Sequence, residues 1–568
     1  MLTSASHTTE PELLASIFEE RAEFLSAEEL DAWTTTTPRD TEILAKLRGP
    51  GTKLLTGPRG SGKSTLLRRA YFDLLEGSAV MPAYVNYARS LALEPLFHRR
   101  ADALQIFRQW ILMKIVVGVR EALDERKVRL PKDLAEIAAV AATYIDDLQH
   151  GNDPQPLTMM LGPAQLVARL EDWTHEVGRR RCVLLLDDAA HAFSPDQQRE
   201  FFEIFRELRS RVVAAKAAVY PGITSYSPHF HVGHDAELVE AWSRPEDSEF
   251  LPMMRDIVNR RLPPPLLEAL SDREELVDYL AFASFGIPRG FLVMLSDLLG
   301  LEESSTSTPT RRAAERAIST HAASVISIFE SLADKLPRFR NFVEVGLELE
   351  RAVASSLRNY NIKREGLDQK AVVIGIREPL GPELTRILSM LEYAGVLRRM
   401  SSISRGTRGV FHRYVLHYAL VIDDNCLGLG GSFPLSSLLG ALKTRDAHAF
   451  AQTRPSTLLG KGYAQRCTLD LAPCQYCGAP RVSEDAAFCM RCGRELQNVS
   501  IYEELLRASI RQLPLTENKL QGLLAKTKIR TIQDVLLDDD SVQLHSVPYI
   551  GSIWAARIRN YAEEFVSV

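Results

Sequence analysis

Two kinds of hydrophobic pattern alternate along the chain. Continuous apolar runs, typical of parallel strands buried on both faces, begin near residues 54, 79, 182 and 217. The stretches between them, above all residues 101–147 and 196–210, carry apolar residues at helical spacing. In residues 196–210, Phe201, Phe205 and Leu208 share one helical face. Strands that alternate with helices predict an α/β fold built on a parallel sheet.

A glycine-rich segment, GPRGSGKST, follows the first apolar run. Its G-x-x-x-x-G-K-S spacing is typical of a phosphate-binding loop, in which backbone amides surround a polyphosphate. We expect Lys63 to reach the β- and γ-phosphates, Ser64 to hold Mg²⁺, and a helix to open at Thr65 with its positive end toward the anion. A glycine-rich surface turn is the alternative. The predicted ATP-binding residues are Gly57, Gly60, Gly62, Lys63, Ser64 and Thr65.

Two acidic residues end the apolar run CVLLLDD. In phosphoryl transfer, we expect Asp187 to hold Mg²⁺ through water and Asp188 to polarise the attacking water. Two solvated aspartates at a strand tip are the alternative, and an aspartate in place of the longer glutamate at position 188 leaves the rate of hydrolysis open. At the tip of the next strand, Thr224 or Ser225 is predicted to contact the γ-phosphate or the water. A satisfied strand-end hydroxyl is the alternative there.

Composition indicates the general class of protein but identifies no further functional residues. The 568 residues are 45% hydrophobic and 25% charged, as in ordinary globular proteins, and suffice for several domains. The apolar stretch WILMKIVVGV is short and contains Lys114, so it predicts core and no membrane span. The N-terminus lacks a signal-peptide pattern, which predicts a cytoplasmic protein. A net charge of -5 means that any nucleic-acid binding depends on local patches.

Four of the seven cysteines form two C-x-x-C knuckles, each followed by a glycine. This pattern predicts a zinc ribbon with tetrahedral Zn²⁺, and Phe488 is expected to supply its small core. Disulfides or unligated thiols are the alternatives, although cytosolic thiols stay reduced. The predicted zinc ligands are Cys474, Cys477, Cys489 and Cys492.

The nucleotide motifs, the strand tip GITSY and the segment FGIPRGFL together resemble AAA+ ATPases, most closely the origin-recognition and replication-initiator group and allied bacterial ATPases. The resemblance covers roughly residues 15–425. It implies a helical lid whose Arg289 reaches the γ-phosphate as a sensor. It also implies a homo-oligomer with ATP at subunit interfaces. Arg244, Arg260 and Arg261 are unranked candidates for the arginine that a neighbouring subunit supplies.

A helix followed by a basic hairpin comes after the lid. Leu384, Leu388 and Leu391 lie on one helical face, and Gly395 closes the helix before the hairpin. This order is typical of a winged helix and resembles the domain that binds duplex DNA in the initiator group. A solvated basic hairpin that packs on a neighbour is the alternative. The predicted contacts to DNA phosphates are Arg398, Arg399, Arg405, Arg408 and Arg413.

The C-terminal segment LHSVPYIGSIWAARIRNYAEEF is similar to a helix-hairpin-helix. Tyr549 stands where the first hairpin glycine is usual, so close approach of its backbone to DNA is open. Residues 461–568 are balanced in charge. Docking of a protein partner by the ribbon and the tail is therefore as well supported as DNA binding.

These features predict a multidomain α/β protein with a P-loop parallel-sheet AAA+ core, a helical lid, a winged helix, a zinc ribbon and a small all-α C-terminal domain. The predicted function is an ATP-binding and hydrolysing switch that gates assembly and DNA binding or partner recruitment, in an accessory bacterial role such as defence or a mobile element. The alternative is a signalling ATPase that senses a protein or ligand and activates an effector without binding DNA. The predicted boundaries are 1–245 (core with an N-terminal helical segment), 246–302 (lid), 313–425 (helical and winged-helix domain), 426–470 (connector), 471–497 (ribbon) and 498–568 (tail).

Overall fold

The computed structural model describes most of residues 25–566. The first 24 residues of the predicted core segment and most of the Ser/Thr/Pro boundary loop at 302–312 lie outside the described residues. So do seven residues of the predicted connector at 426–470. Within 25–566 the segments left out are 88–92, 94–95, 97–99, 101, 150–151, 153, 155–156, 158–159, 190–194, 301–308, 431–432, 444–448, 484–485, 487, 497–500 and 539–540.

A five-stranded parallel sheet forms the first layer, in the order β2-β3-β4-β1-β5. The α/β parallel-sheet prediction is thereby confirmed. Since all five strands are parallel, their carboxyl ends meet at one edge, which is where ligands bind in open α/β sheets. The strands are β1 (Lys53–Thr56), β2 (Val80–Asn86), β3 (Arg181–Asp187), β4 (Val213–Val219) and β5 (Glu237–Glu240).

Helices cover both faces of this sheet. One apolar cluster joins alternate residues of the strands to the helices inserted between β2 and β3, and another joins the remaining strand residues to the helix that follows the glycine-rich loop. Leu184 and Leu185 therefore face opposite layers, and both are fully buried. The helices are α1 (Ala27–Trp33), α2 (Pro38–Arg48), α3 (Lys63–Glu76), α4 (Ala103–Glu125), α5 (Lys132–Gln149), α6 (Pro163–Glu176) and α7 (Pro195–Glu207).

A helical region follows the sheet and shares one continuous apolar core with the domains after it. Arg289 lies in the first turn of α11, directly after Pro288, which suits the start of a helix. The helices of this region are α8 (Phe250–Arg261), α9 (Pro264–Leu270), α10 (Glu274–Ala283), α11 (Pro288–Leu299), α12 (Arg311–Glu330), α13 (Leu332–Lys335) and α14 (Arg340–Ile362).

The predicted helix and basic hairpin both occur. The helix α15 (Pro382–Tyr393) buries the expected apolar face, and Gly395 follows it with a φ of 76°. The hairpin belongs to a second sheet in the order β10-β6-β9-β7, with β8 paired to β9. Its strands are β6 (Val373–Arg377), β7 (Leu397–Arg399), β8 (Ile403–Ser404), β9 (Val410–Leu416) and β10 (Ala451–Thr453). The winged-helix assignment stays a prediction.

Short helices make up the rest of the chain. None of the helices in the described residues is both long and apolar enough to cross a membrane. The predicted helical and winged-helix domain ends with α16 (Tyr418–Asp423), and the connector holds α17 (Leu435–Leu442), α18 (Pro455–Leu459) and α19 (Tyr463–Arg466). The tail holds α20 (Ile501–Arg507), α21 (Glu517–Lys526), α22 (Ile532–Leu536), α23 (Val542–His545) and α24 (Ser552–Val566).

Candidate nucleotide-binding site

The glycine-rich loop lies between the end of β1 and the start of α3. Gly60 and Gly62 have φ values of 79° and 91°, a left-handed region that glycine adopts without strain. A Cβ atom at Gly60 would lie 3.0 Å from Cβ of Arg289 and 3.1 Å from Cγ2 of Ile287. The helix begins at Lys63 and not at the predicted Thr65, because Gly62 already serves as its N-cap. The predicted lid, residues 246–302, therefore contacts the motif directly at Gly60.

Lys63 is buried and folded back onto its own loop. Its Nζ donates to the carbonyl oxygens of Gly57 and Pro58, both at 2.9 Å, and lies 4.0 Å from the centre of the Tyr220 ring. Burial lowers the pKa of Lys63 to about 7, although Asp188 and Asp187 oppose the shift. A phosphate ligand would compete with two neutral carbonyls for this ammonium, and a charged acceptor forms the stronger hydrogen bond.

The two aspartates at the end of β3 are held by two tyrosines. Tyr84 of β2 donates its hydroxyl to Oδ2 of Asp187 at 2.7 Å, and Tyr220 donates to Oδ1 of Asp188 at 2.8 Å. Asp187 is buried, while Asp188 is half-buried and has a φ of 50°. Burial and the Asp188 carboxylate raise the pKa of Tyr220 well above its usual range, so its hydroxyl stays protonated as a donor. Lys63, Asp187 and Asp188 therefore meet at one edge of the sheet.

Thr224 is also near this edge, since it lies four residues after Tyr220. Its hydroxyl donates to the Tyr220 carbonyl oxygen at 2.6 Å, which is the bond expected of a satisfied strand-end hydroxyl. The backbone amide of Ser225 donates to Gln198. The catalytic role of Thr224 stays a prediction.

Arg289 reaches the glycine-rich loop together with residues that the sequence motifs did not indicate. Its Nη1 donates to Oε1 of Glu564 at 2.9 Å, and the same oxygen lies 3.9 Å from Nη2 of Arg59. Burial lowers the pKa of Arg59, but the Glu564 carboxylate and other neighbouring groups outweigh burial and leave it above the usual value. Arg59 lies inside the glycine-rich motif, so the sequence shows that a positive charge is present there. No pattern near Glu564 in the sequence predicts its contact with Arg289.

The residues present fit a bound nucleotide with Mg²⁺. Within the described residues, the buried hydroxyl of Ser61 in the loop has no hydrogen-bond partner, as expected of a group that awaits a polar ligand. Ser64 is half-buried in the first turn of α3, which follows β1. Asp187 ends β3, which β4 separates from β1 in the sheet. Hydroxyl and carboxylate oxygens are the ligands that Mg²⁺ prefers.

The three candidate trans-acting arginines differ in how the chain uses them. Arg261 is buried and donates to the Trp33 carbonyl at 3.3 Å. Arg260 pairs with Asp256 at 2.6 Å, and Arg244 pairs with Glu240, both within four residues and near the surface. Because Arg261 is buried, it cannot extend to the site of a neighbouring copy. Arg244 and Arg260 remain as candidates.

The four predicted cysteine ligands converge at one point. Their sulfur atoms all lie within 4.8 Å of one another, and the Cys474–Cys492 and Cys477–Cys489 pairs are 3.7 and 3.6 Å apart. Four sulfurs at the ordinary Zn–S distance of about 2.3 Å in a tetrahedron are about 3.8 Å apart. This donor set fits Zn²⁺.

The expected core of the ribbon was wrong in one residue. Phe488 is 61% exposed, and the small apolar cluster around the cysteines instead contains Ala479, with Leu496 packed against it. An isolated bridge pairs Phe488 with Glu495 through the backbone. The Phe488 side chain faces solvent and is not part of this cluster.

The five arginines predicted to contact DNA split into two groups. Arg398 is buried, pairs with Glu246 and lies over the rings of Trp242 and Phe285. Arg413 is buried and donates to the carbonyl and hydroxyl oxygens of Ser401. Their internal contacts remove both from the predicted DNA surface. Of the remaining three, Arg399 and Arg408 are exposed, and Arg405 is half-buried with its guanidinium 5.1 Å from the centre of the Phe450 ring.

In the tail, residues 546–551 connect α23 to α24, in the order expected of a helix-hairpin-helix. Tyr549 is 93% exposed and has a φ of 66°. A non-glycine residue in this conformation is uncommon. The side chain at the tip of the turn thus faces solvent where the usual hairpin has no side chain.

No family model and no curated protein matches the chain. Solved structures similar to it include the Walker-type ATPase PABY2304 of Pyrococcus abyssi (13% identity, 73% of this chain and 100% of that chain, TM-score 0.38). Cdc6p from Pyrobaculum aerophilum (13%, 75% and 96%, 0.30) and Drosophila ORC bound to DNA (13%, 76% and 94%, 0.30) are also similar. At these identities and TM-scores the matches assign no family, and the site residues carry the function proposed below.

Proposed function

We propose that the chain is an ATP-dependent switch of the AAA+ type that binds and hydrolyses ATP with Mg²⁺. The observation that carries this proposal is the meeting of Lys63, Asp187 and Asp188 at the carboxyl edge of the parallel sheet, with Arg289 of the lid packed on Gly60. Because a lid residue touches the phosphate loop, a change in the nucleotide changes the contacts of the lid. Such differential contacts allow a ligand to shift a conformational equilibrium.

Each residue has a distinct role in this proposal. Lys63 binds the phosphates as a point charge, and Ser64 and Asp187 hold the metal. Bound Mg²⁺ supplies charge neutralisation at the phosphates. Asp188 orients the attacking water and accepts its proton while Tyr220 fixes the carboxylate. Arg289 senses the terminal phosphate, and Arg244 or Arg260 of a neighbouring copy completes the site in a homo-oligomer.

Isothermal titration of the purified chain with ATP and ADP, with and without Mg²⁺, tests this function. We expect one nucleotide per chain, with ATP binding tighter when Mg²⁺ is present because the metal joins the site through Ser64 and Asp187. A chain that releases no heat with either nucleotide, and that fails to protect a fluorescent ATP analogue from a quencher, would reject the proposal.

The role of Asp188 gives the first prediction. Asp188→Asn should lower ATP turnover by about 10²-fold, because water polarisation is lost, with ATP affinity changed by less than about threefold. Tyr220→Phe keeps the ring near Lys63 and removes one hydrogen bond of about 1 kcal/mol, so turnover should change about fivefold. Steady-state phosphate release checks both. Tyr393→Phe, whose ring packs 5.6 Å from that of Tyr220, is the control, and turnover unaffected by Asp188→Asn would contradict the role.

We further propose that the switch acts on duplex DNA through the surface of the hairpin. Support comes from Arg399, Arg405 and Arg408, which stand at or near the surface of a segment that contains no acidic residue between positions 398 and 413. Arginine side chains on such a surface contact phosphates without reading sequence. A cytoplasmic location and an accessory bacterial role remain part of this proposal.

The hairpin gives the second prediction. Arg405→Glu with Arg408→Glu should weaken duplex binding and lower the slope of log affinity against log salt by about 2, since each phosphate contact contributes about one unit. ATP binding should not change. Arg312→Glu with Arg316→Glu makes the same charge change on exposed positions of α12 and serves as the control. Equal salt slopes for both double variants, by fluorescence anisotropy, would contradict the DNA surface.

One observation favours the alternative, a switch that docks a protein partner. The ribbon displays Val482, Phe488 and Met490 at 75%, 61% and 85% exposure, and exposed apolar residues close together mark binding surfaces. In this reading the ribbon and tail recruit an effector, and the charge reversals in the hairpin leave activity unchanged.

A further inference from the structure

The C-terminal helix α24 ends at the nucleotide site. Glu564, in its last turn, accepts a hydrogen bond from Arg289 of the lid at 2.9 Å and lies 3.9 Å from Arg59 of the glycine-rich loop. The backbone carbonyl of Glu564 also accepts from Nζ of Lys335 at 3.5 Å. The loop, the lid and α13 thus each contribute one basic side chain to the end of a helix from the far end of the chain.

The charges at this contact are those that a phosphate group would recruit. The end of a helix carries partial negative charge on its free carbonyls, and the Glu564 carboxylate adds a full one. Arginine guanidinium groups bind carboxylates and phosphates with the same donor geometry. A carboxylate held by the sensor arginine and by an arginine of the phosphate loop therefore imitates an anionic ligand.

The contact lies beside the phosphate cradle and not on a remote surface. Arg289 approaches Gly60 so closely that a Cβ there would lie 3.0 Å from it, and Arg59 directly precedes Gly60. Both arginines act electrostatically on Lys63. An occupant of the terminal phosphate position would therefore meet the same two guanidinium groups that Glu564 now engages.

We propose that Glu564 is an internal competitor of the terminal phosphate of ATP, and that ATP binding releases α24 from the loop and the lid. The inference rests on the proposed ATP function. A terminal phosphate has more charge and more acceptor oxygens than a carboxylate, so it displaces Glu564 from Arg59 and Arg289. The nucleotide state then sets the position of the tail, which follows the zinc ribbon in the chain. The site thereby controls when the C-terminal modules are available to a partner.

Neighbouring glutamates supply a matched pair of variants for the test. Glu563 and Glu564 are both 28% exposed in their side chains, but Glu563 pairs within the helix with Arg559 at 4.0 Å. Glu564→Gln should raise ATP affinity about tenfold if the closed tail leaves about a tenth of the molecules competent. ADP, which lacks the competing phosphate, should gain less. Glu563→Gln should bind both nucleotides as the unmodified chain does, in titrations with a fluorescent ATP analogue.

Hydrogen–deuterium exchange provides a second readout that needs no variant. Saturating ATP should speed amide exchange in residues 552–566 of the unmodified chain. Glu564→Gln should show fast exchange there without nucleotide, and Glu563→Gln should behave as the unmodified chain.

Three results would overturn the inference. The first is that ATP binds, Glu564→Gln and Glu563→Gln have equal affinities for ATP, and amide exchange in α24 does not change with ATP. This result rejects the role of Glu564 as a competitor and leaves the ATP function in place. Weaker ATP binding by Glu564→Gln rejects it too, because Glu564 then positions Arg289 for the nucleotide. A chain that binds no ATP at all rejects both the function and the competitor.

Discussion

Lys63→Ala is expected to weaken ATP binding by about 30-fold or more and to lower turnover by about 10²-fold. Lys63 is the buried ammonium at the centre of the proposed site, and hydrogen bonds between charged groups contribute about 2 kcal/mol each. In the absence of the ammonium, the carbonyls of Gly57 and Pro58 also lose their donor. The loss should therefore appear in both affinity and rate, measured by titration with a fluorescent ATP analogue and by phosphate release.

Lys53→Ala is the control for this variant. Lys53 begins β1, the strand that precedes the glycine-rich loop, and its Nζ donates to Glu237 at 2.5 Å, away from the loop. We expect it to change stability slightly and ATP affinity not at all. If Lys63→Ala binds ATP as the unmodified chain does while its thermal midpoint is unchanged, the nucleotide site has been assigned to the wrong residues.

Loss of zinc is expected to unfold the ribbon while the ATPase core stays folded. Binding of a structural zinc contributes on the order of 10 kcal/mol to the folding of a small domain, and the apolar cluster around the four cysteines is very small. We expect about one zinc per chain. Cys477→Ser with Cys489→Ser should abolish zinc binding and expose residues 471–497 to proteolysis, with ATP affinity preserved.

Cys467→Ser is the matched control for the ribbon, because Cys467 is also buried but donates to the Tyr463 carbonyl at 3.3 Å outside the cluster. It should retain its zinc. Metal analysis of freshly purified, reduced protein decides the question. A chain without zinc, or a double serine variant that keeps it, would show that the cysteines serve another purpose.

Residues close together in the sequence carried most of what could be predicted. The phosphate loop and the cysteine knuckles depend on fixed spacing over a few positions, so the sequence alone is enough to propose Lys63 and Cys474 as site residues. The continuous apolar run before Asp187 also predicted a buried strand correctly. The start of α3 was misplaced by two residues, because the capping role of Gly62 depends on a left-handed conformation that the sequence permits but does not require.

Contacts between distant segments could not be predicted from local patterns. Glu564 lies 275 positions from Arg289, and no periodicity connects a tail helix to a lid. The same reason explains Arg398, whose partner Glu246 is 152 positions away. Its charge suggested a phosphate contact, but the strand β7 turns it inward against Trp242. The sequence gives the number of arginines in the hairpin correctly, but it does not show which of them face solvent and which are buried.

In the proposed function, the nucleotide state controls the action of the chain on DNA. Fluorescence anisotropy of a labelled random-sequence duplex tests it most directly, when the purified chain is titrated at two salt concentrations with ATP, with ADP and without nucleotide. We expect binding that weakens with salt and tightens with ATP, since release of the tail and rearrangement of the lid should favour the conformation that binds DNA. Binding that is the same in all three nucleotide states, or no binding in any of them, would contradict the claim.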